Sequence, residues 1–336
     1  MLLKKIALML ICLSGVFLAS CEMPGTGVEE SSGITVSQYR ERFSATQEEL
    51  PPGVSSYGIF VSQESDSDMY GKTMVLDDLS TPIYFTCSHR GKADTVVLTI
   101  YYDYKQIPFF VDNSSTECSS YRFQLEDNQE IQIPIILSGV TADESRHKLL
   151  FSITTEADRH ASSVDEVMNG TVLTHVCELK YSINTTDDMG PLVPSTEPDW
   201  RFHSDDVASL ILNTDYDNSE IKETGLPALP PVELVISPND TLELMYNITG
   251  LNDASSALLF VVVGNEQQEI NGQDYLLFDV QNGETLNGKL QIDAPGELGA
   301  YEVFGYVVYN PITSVEETMF QLVETSFRFT LSVQEK

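Results

Sequence analysis

The chain has 336 residues, with 51 acidic against 18 basic side chains and a formal net charge of −33. A surface so negative repels polyanions, which argues against nucleic-acid partners and against adsorption to anionic lipid headgroups. The length leaves room for two ordinary domains, each able to bury its own core.

Lys4 and Lys5 precede an apolar run from Ile6 to Leu18, broken only by Ser14 and Gly15. A run of about 13 residues is shorter than the ~20 a helix needs to cross a bilayer. A basic start, a short apolar stretch and small residues at its end form a secretory signal peptide. The stretch Leu18-Ala19-Ser20-Cys21 resembles the lipobox of bacterial lipoproteins. That resemblance implies cleavage after Ser20, a signal peptide of residues 1–20, lipid on the Cys21 sulfur and anchorage at an envelope membrane. It leaves the membrane and leaflet open. Each buried acyl CH₂ contributes about 0.8 kcal/mol, so two or more chains hold a soluble domain stably. Residues 21–54 read as a lipidated tether, polar and rich in Gly, Pro, Ser and Glu at its start. Within it, Thr35-x-x-Gln38 fits a capping box, and Val36, Tyr39 and Phe43 share a face. This predicts a short helix, stopped by Pro51-Pro52-Gly53.

From Ser56 the period changes to two. Tyr57, Ile59 and Val61 alternate with their neighbours, as do Ile83, Phe85 and Cys87, then Val96, Leu98, Ile100 and Tyr102. Further runs centre on Phe123, Ile133, Phe151 and Leu179. Short alternating runs between polar turns predict an antiparallel two-sheet sandwich over residues 55–184. The proline-rich segment 185–200 breaks the pattern and reads as a linker. Alternation then resumes over 201–336, with runs around Leu244, Phe260, Phe278, Leu290, Val303 and Phe329. Ile83, Phe85 and Cys87 lie 159 residues before Leu242, Leu244 and Tyr246, and Leu149 and Ile153 lie 154 before Val303 and Val307. Such a steady offset points to one sandwich used twice. The expected fold class is therefore all-β, with two tandem antiparallel β-sandwich domains.

Gly299-Ala-Tyr301-Glu-Val303, after the turn at Pro295-Gly296, resembles the tyrosine corner of bacterial Ig-like and adhesion-type modules. The first half carries His147 at the matching position. The resemblance implies an Ig-like architecture and a non-catalytic display role.

Few residues point to chemistry. Cys87, Cys118 and Cys177 remain once Cys12 leaves with the signal and Cys21 takes lipid; they permit one disulfide of open pairing in an exported protein. Asp215, Asp217 and Glu220 alternate in a loop, as calcium-binding carboxylates do. Asp66, Asp68 and Gly71 form a weaker match of the same kind. Tyr101, Tyr104 and Phe109 belong to an aromatic-dense stretch that could stack sugars or fill a partner's groove. His89, His147 and His175 fall on inward sides of strands and read as structural. No nucleophile elbow, Walker loop or dinucleotide fingerprint occurs. The sequence thus predicts a lipid-anchored, extracytoplasmic envelope protein that binds a protein or glycan partner or serves in adhesion or assembly. It needs no cofactor beyond an optional calcium ion. The rival readings are a hydrolytic, carbohydrate-active enzyme on a β-sandwich and a calcium-stiffened stalk.

Overall fold

A computed structural model describes residues 55–64, 73–111, 114–157, 159–167, 172–182, 184–190, 192, 195–203, 209–251, 254–315 and 322–335. The lipobox residues Leu18, Ala19, Ser20 and Cys21, the helix expected in the tether and the Asp66–Gly71 match lie outside these.

The first half contains β1 (Ser56–Ser62), β2 (Thr73–Val75), β3 (Ile83–Arg90), β4 (Asp94–Tyr102), β5 (Lys105–Gln106), β6 (Phe109–Val111), β7 (Glu117–Cys118), β8 (Ser120–Leu125), β9 (Gln129–Leu137), β10 (His147–Thr154) and β11 (Val172–Lys180). A one-turn helix α1 (Val164–Val167) sits between the last two. One sheet has the order β1-β3-β9-β6-β7; the other has β2-β11-β10-β4-β5, with β8 also paired to β4. Phe85, Cys87 and Ile133 from the first sheet meet Ile100, Phe151 and Leu179 from the second in the core between them.

The second half contains β12 (Trp200–His203), β13 (Leu210–Asn213), α2 (Ser219–Thr224), β14 (Glu233–Ile236), β15 (Thr241–Thr249), β16 (Ser256–Val263), β17 (Glu266–Gln268), β18 (Leu276–Asp279), β19 (Glu284–Asp293), β20 (Gly299–Tyr309), β21 (Val323–Thr325) and β22 (Phe329–Val333). Its sheets run β12-β19-β15-β13 and β14-β22-β20-β16-β17, with β18 on β16 and β21 on β20. Leu244, Ile248, Phe278, Leu290 and Val307 fill this second core.

The strand order recurs. The path β2-β11-β10-β4-β5 reappears as β14-β22-β20-β16-β17, down to the parallel pairs β2/β11 and β14/β22. The trio β1-β3-β9 reappears as β13-β15-β19. Local signals agree. The β16–β17 hairpin closes through Gly264-Asn265, both at positive φ, as a two-residue turn between right-twisted strands requires. Its counterpart, the β4–β5 hairpin, closes through Asp103-Tyr104, also both at positive φ.

A third core lies between the two sandwiches. The outer faces of the sheets β2-β11-β10-β4-β5 and β14-β22-β20-β16-β17 pack on each other, burying Tyr101, Tyr104 and Leu150 against Leu258, Phe260, Val262, Phe304, Tyr306 and Val308. The segment read as a linker runs along this seam. Thr186 N–H donates to Glu144 O (2.8 Å), Arg146 N–H to Asp188 O (3.1 Å) and Thr196 N–H to Leu277 O (2.5 Å). Met189 and Leu192 pack against the third core.

Candidate functional site

The seam is the most built feature of the described residues, and it is organised about an approximate two-fold axis. Ser152 on β10 pairs with Thr99, and Tyr306 on β20 pairs with Phe260, so Ser152 and Tyr306 hold equivalent places in the two sandwiches. Their hydroxyls meet at 2.7 Å. Gln106 and Gln267 are likewise equivalent, opposite Tyr101 and Val262 respectively. Gln106 N–H donates to Gln267 Oε1 and Gln267 N–H donates to Gln106 Oε1, both at 2.6 Å. Equivalent residues meeting reciprocally are the mark of an isologous interface. The amide pair also covers the exposed N–H groups of two short edge strands, which would otherwise invite pairing. Between these points, Phe260 stacks on Tyr306 (4.5 Å) and tilts against Tyr101 (4.8 Å). Aromatic pairs of this kind add about 0.5–1.5 kcal/mol beyond their area.

Each sandwich also sends a loop across. Following β20, Arg146 donates to Ile312 O (2.9 Å), Lys148 Nζ to Thr313 O (2.6 Å) and Tyr104 Oη to Pro311 O (2.7 Å). Glu178 ties this together: it pairs with Lys148 at 2.9 Å and Arg146 at 3.3 Å, and accepts from Val315 N–H at 2.8 Å. Lys148 is 0% and Glu178 1% exposed. Burial pushes the Lys148 ammonium below its usual range, with Glu178 opposing. On the other side of the axis, Arg328 donates to Thr155 O (2.7 Å), in the chain just after β10, and pairs with Glu302 (2.8 Å).

The sequence-predicted residues need correction against this geometry. Tyr101, Tyr104 and Phe109 do not form a ligand platform, because all three are 0% exposed. Alternation rightly turns Tyr101 away from the first core, but the second sandwich, not solvent, covers it. Phe109 belongs to the first core.

The three cysteines form no disulfide; all are free. Cys87 lies mid-strand opposite Ile59 and Ile131, Cys177 lies in the other sheet opposite Leu149, and Cys118 lies at an edge opposite Phe109. Burial raises the pKa of the Cys87 and Cys177 thiols well above the usual range, which holds them protonated and inert. Without reductant, all three thiols should react with a thiol reagent in denaturant. In the native protein Cys87 and Cys177 should stay silent; a missing pair in denaturant would signal a bond.

Asp215, Asp217 and Glu220 are not gathered around a vacant centre. The Asp215 carboxylate accepts from Ser219 N–H (3.0 Å), Ser219 Oγ (2.7 Å) and Glu220 N–H (2.9 Å), tying the loop to the start of α2. Partial burial would raise its pKa, but these hydrogen bonds outweigh that and lower it. Among the described residues no group of three or more His, Cys, Asp or Glu side chains could hold a metal ion.

The histidines behave structurally in part. His89 Nδ1 contacts Glu126 O at 3.0 Å. His147 is different: Asp103 Oδ2 lies 2.7 Å from Nδ1 and Asp143 Oδ1 lies 3.0 Å from Nε2, while Tyr102 stacks on the ring at 4.5 Å.

A groove of about 270 Å³ opens on the seam at the two-fold axis. The Gln106–Gln267 pair lines it. The first sandwich contributes Lys105, Ile107, Pro108 and Ser119; the second contributes Glu266, Gln268, Glu269 and Asp274. One wall is thus partly apolar and the other acidic, although they come from equivalent positions. Lys105 and Asp274 bridge the walls at 2.5 Å. The arrangement brings apolar C–H groups together with carboxylates and amides, which suits a hydroxylated or cationic group.

Sequence reasoning missed Arg146, Lys148, Glu178, Arg328 and the two glutamines. A signal existed for the seam itself: Leu149-Leu150-Phe151 on β10 and Leu258 to Val263 on β16 are apolar at consecutive positions, which a sandwich strand with one face in water does not need.

No family model matches the chain, and no curated protein matches it. Among solved structures it is similar to the YadV chaperone, at 7% identity and a TM-score of 0.23, over 80% of this chain and 98% of that one. It is also similar to the periplasmic chaperone SfaE, at 9% identity and a TM-score of 0.22, over 82% of this chain and 100% of that one. Superpositions this loose leave the strand topology itself as the basis for the fold.

Proposed function

We propose that this chain is a lipid-anchored envelope protein, held at a membrane through Cys21, whose two Ig-like sandwiches act as one rigid, non-catalytic binding unit. The sealed seam supports the rigid-unit part of this reading. Two sandwiches joined by a buried third core cannot swing about a linker, so they present one fixed surface. The partner is a protein or glycan of the envelope, and the seam groove is where it engages, because clefts between domains are preferred ligand positions.

Two measurements test this. Cys21→Ser should move the protein from membrane to soluble fractions, and mass spectrometry of the wild-type N-terminus should find acylated Cys21; a Cys21→Ser protein that stays membrane-bound refutes the anchor. Residues 22–336 should retain one envelope polymer or surface protein in a pull-down. Glu269→Arg, which reverses charge in the groove, should abolish that retention; retention unchanged by this substitution would place binding elsewhere.

A further inference from the structure

We infer that His147 is a protonated latch, held as an imidazolium between Asp103 and Asp143, and that losing its proton loosens the turn through which the first sandwich grips the second.

The geometry requires the charge. Both ring nitrogens face carboxylate oxygens, at 2.7 and 3.0 Å. A carboxylate only accepts, and a neutral imidazole carries a single N–H. Two hydrogen bonds to two carboxylates therefore need both nitrogens protonated. The groups facing the ring are Asp103 from the β4–β5 turn, Asp143 from the loop before β10, Tyr102 on β4 and Tyr181 just after β11. Both tyrosines are held neutral, chiefly by burial. The neighbouring cations Arg146 and Lys148 are committed to Glu178 in the seam.

The latch connects to the seam through Asp103. Asp103 and Tyr104 have φ of 48° and 67°, a left-handed pair in which neither residue is glycine. The Asp103 carboxylate holds that turn closed, with Oδ1 accepting from Lys148 N–H (2.8 Å) and Oδ2 from His147. The next residue, Tyr104, reaches Pro311 O across the seam, and Gln106 makes the reciprocal amide pair with Gln267. The imidazolium charge thus strengthens one of the two side-chain hydrogen bonds holding the turn that precedes both contacts; a neutral ring, with a single N–H, gives up either Asp103 or Asp143 and loses that charge-assisted bond.

Burial disfavours the charged ring, but Asp103 and Asp143 together outweigh it, so the His147 pKa is raised above its ordinary value. The folded chain binds this proton more tightly than the unfolded chain. Its contribution is therefore complete below the unfolded value near pH 6.5 and is lost as pH rises through the higher folded value.

The test uses residues 22–336. Nitrogen NMR of His147 should show two protonated ring nitrogens at pH 6.5. Hydrogen exchange of the Gln106 and Gln267 amides, measured relative to amides in the two inner cores, should accelerate as pH passes the His147 titration, by about tenfold per unit of the shift. Asp143→Asn, at an exposed position, should move that midpoint to lower pH, and His147→Gln should leave both amides weakly protected at every pH. A singly protonated ring at pH 6.5, or Gln106 and Gln267 amides that follow the inner cores throughout, would overturn the latch. If His147→Gln does not fold, the Asp143→Asn midpoint decides the question alone.

Discussion

Glu178→Ala lowers the free energy of unfolding by about 3–5 kcal/mol, the range found when one partner of a buried ion pair is removed. Glu178 is 1% exposed and its carboxylate is the counter-charge for both Lys148 and Arg146. Thr313 O and Ile312 O still accept from those cations, but a carbonyl dipole does not neutralise a buried charge. Val315 N–H also loses its acceptor. Urea denaturation of residues 22–336 measures the loss directly, and the melting temperature should fall by roughly 5–8 °C, given an unfolding entropy of about 2.1 cal/mol/K per residue. Replacing the whole group with apolar residues of similar length, Arg146→Met with Lys148→Met and Glu178→Leu, should recover most of that stability, because no charge is then left buried. A loss below about 1 kcal/mol for Glu178→Ala would mean that water reaches the cluster.

These charged residues also show where sequence reading stops. Lys148 sits in His-Lys-Leu-Leu-Phe-Ser-Ile-Thr and Glu178 in Val-Cys-Glu-Leu-Lys, where period-two alternation assigns both to an outer, solvated face. That assignment is right for the isolated sandwich. It fails because the outer face of one sandwich is the inner face of a larger unit. Alternation describes a strand against its own sheet and carries no term for a second sandwich. Inward residues such as Phe85, Phe151, Leu244 and Val307 were legible because their covering partner lies in the same sandwich. Tyr101 was correctly read as outward, yet its partners Phe260 and Tyr306 come from strands more than 150 residues away. The clue lay in composition: Leu149-Leu150-Phe151 and Leu258-Leu259-Phe260-Val261 are apolar at consecutive positions, which a half-solvated strand does not need. The reciprocal pairing of Gln106 with Gln267 had no local signal, since each is an ordinary polar residue on a short edge strand. The repeat offset did not contain it either, because a repeated sequence does not by itself say that the two copies pack about a two-fold axis.

Phe260→Ala should separate the unfolding of the two sandwiches, whereas Phe85→Ala should not. Both remove a fully buried phenyl ring, and each truncation costs about 3–5 kcal/mol. They differ in what they damage. Phe85 stacks on Phe151 at 5.9 Å inside the first core, so its loss weakens one sandwich and leaves the seam intact. Phe260 lies between Tyr101 and Tyr306, so its loss weakens the coupling between sandwiches. The chain supplies separate reporters for the two halves. Trp200, the sole tryptophan, lies on β12 in the second sandwich, and the buried thiols Cys87 and Cys177 lie in the first. In the wild type, tryptophan fluorescence and thiol exposure should follow one coincident urea transition, as a single cooperative unit requires. Phe85→Ala should shift both probes together to lower urea. Phe260→Ala should pull them apart, because each sandwich then unfolds at its own midpoint with a shallower slope, exposing less surface per step. Probes that already diverge in the wild type would mean that the seam couples nothing, and the rigid unit proposed for binding would fail with it. Probes that stay coincident in Phe260→Ala, despite the full loss of stability, would place the coupling in the Arg146–Lys148–Glu178 group rather than in the aromatic stack.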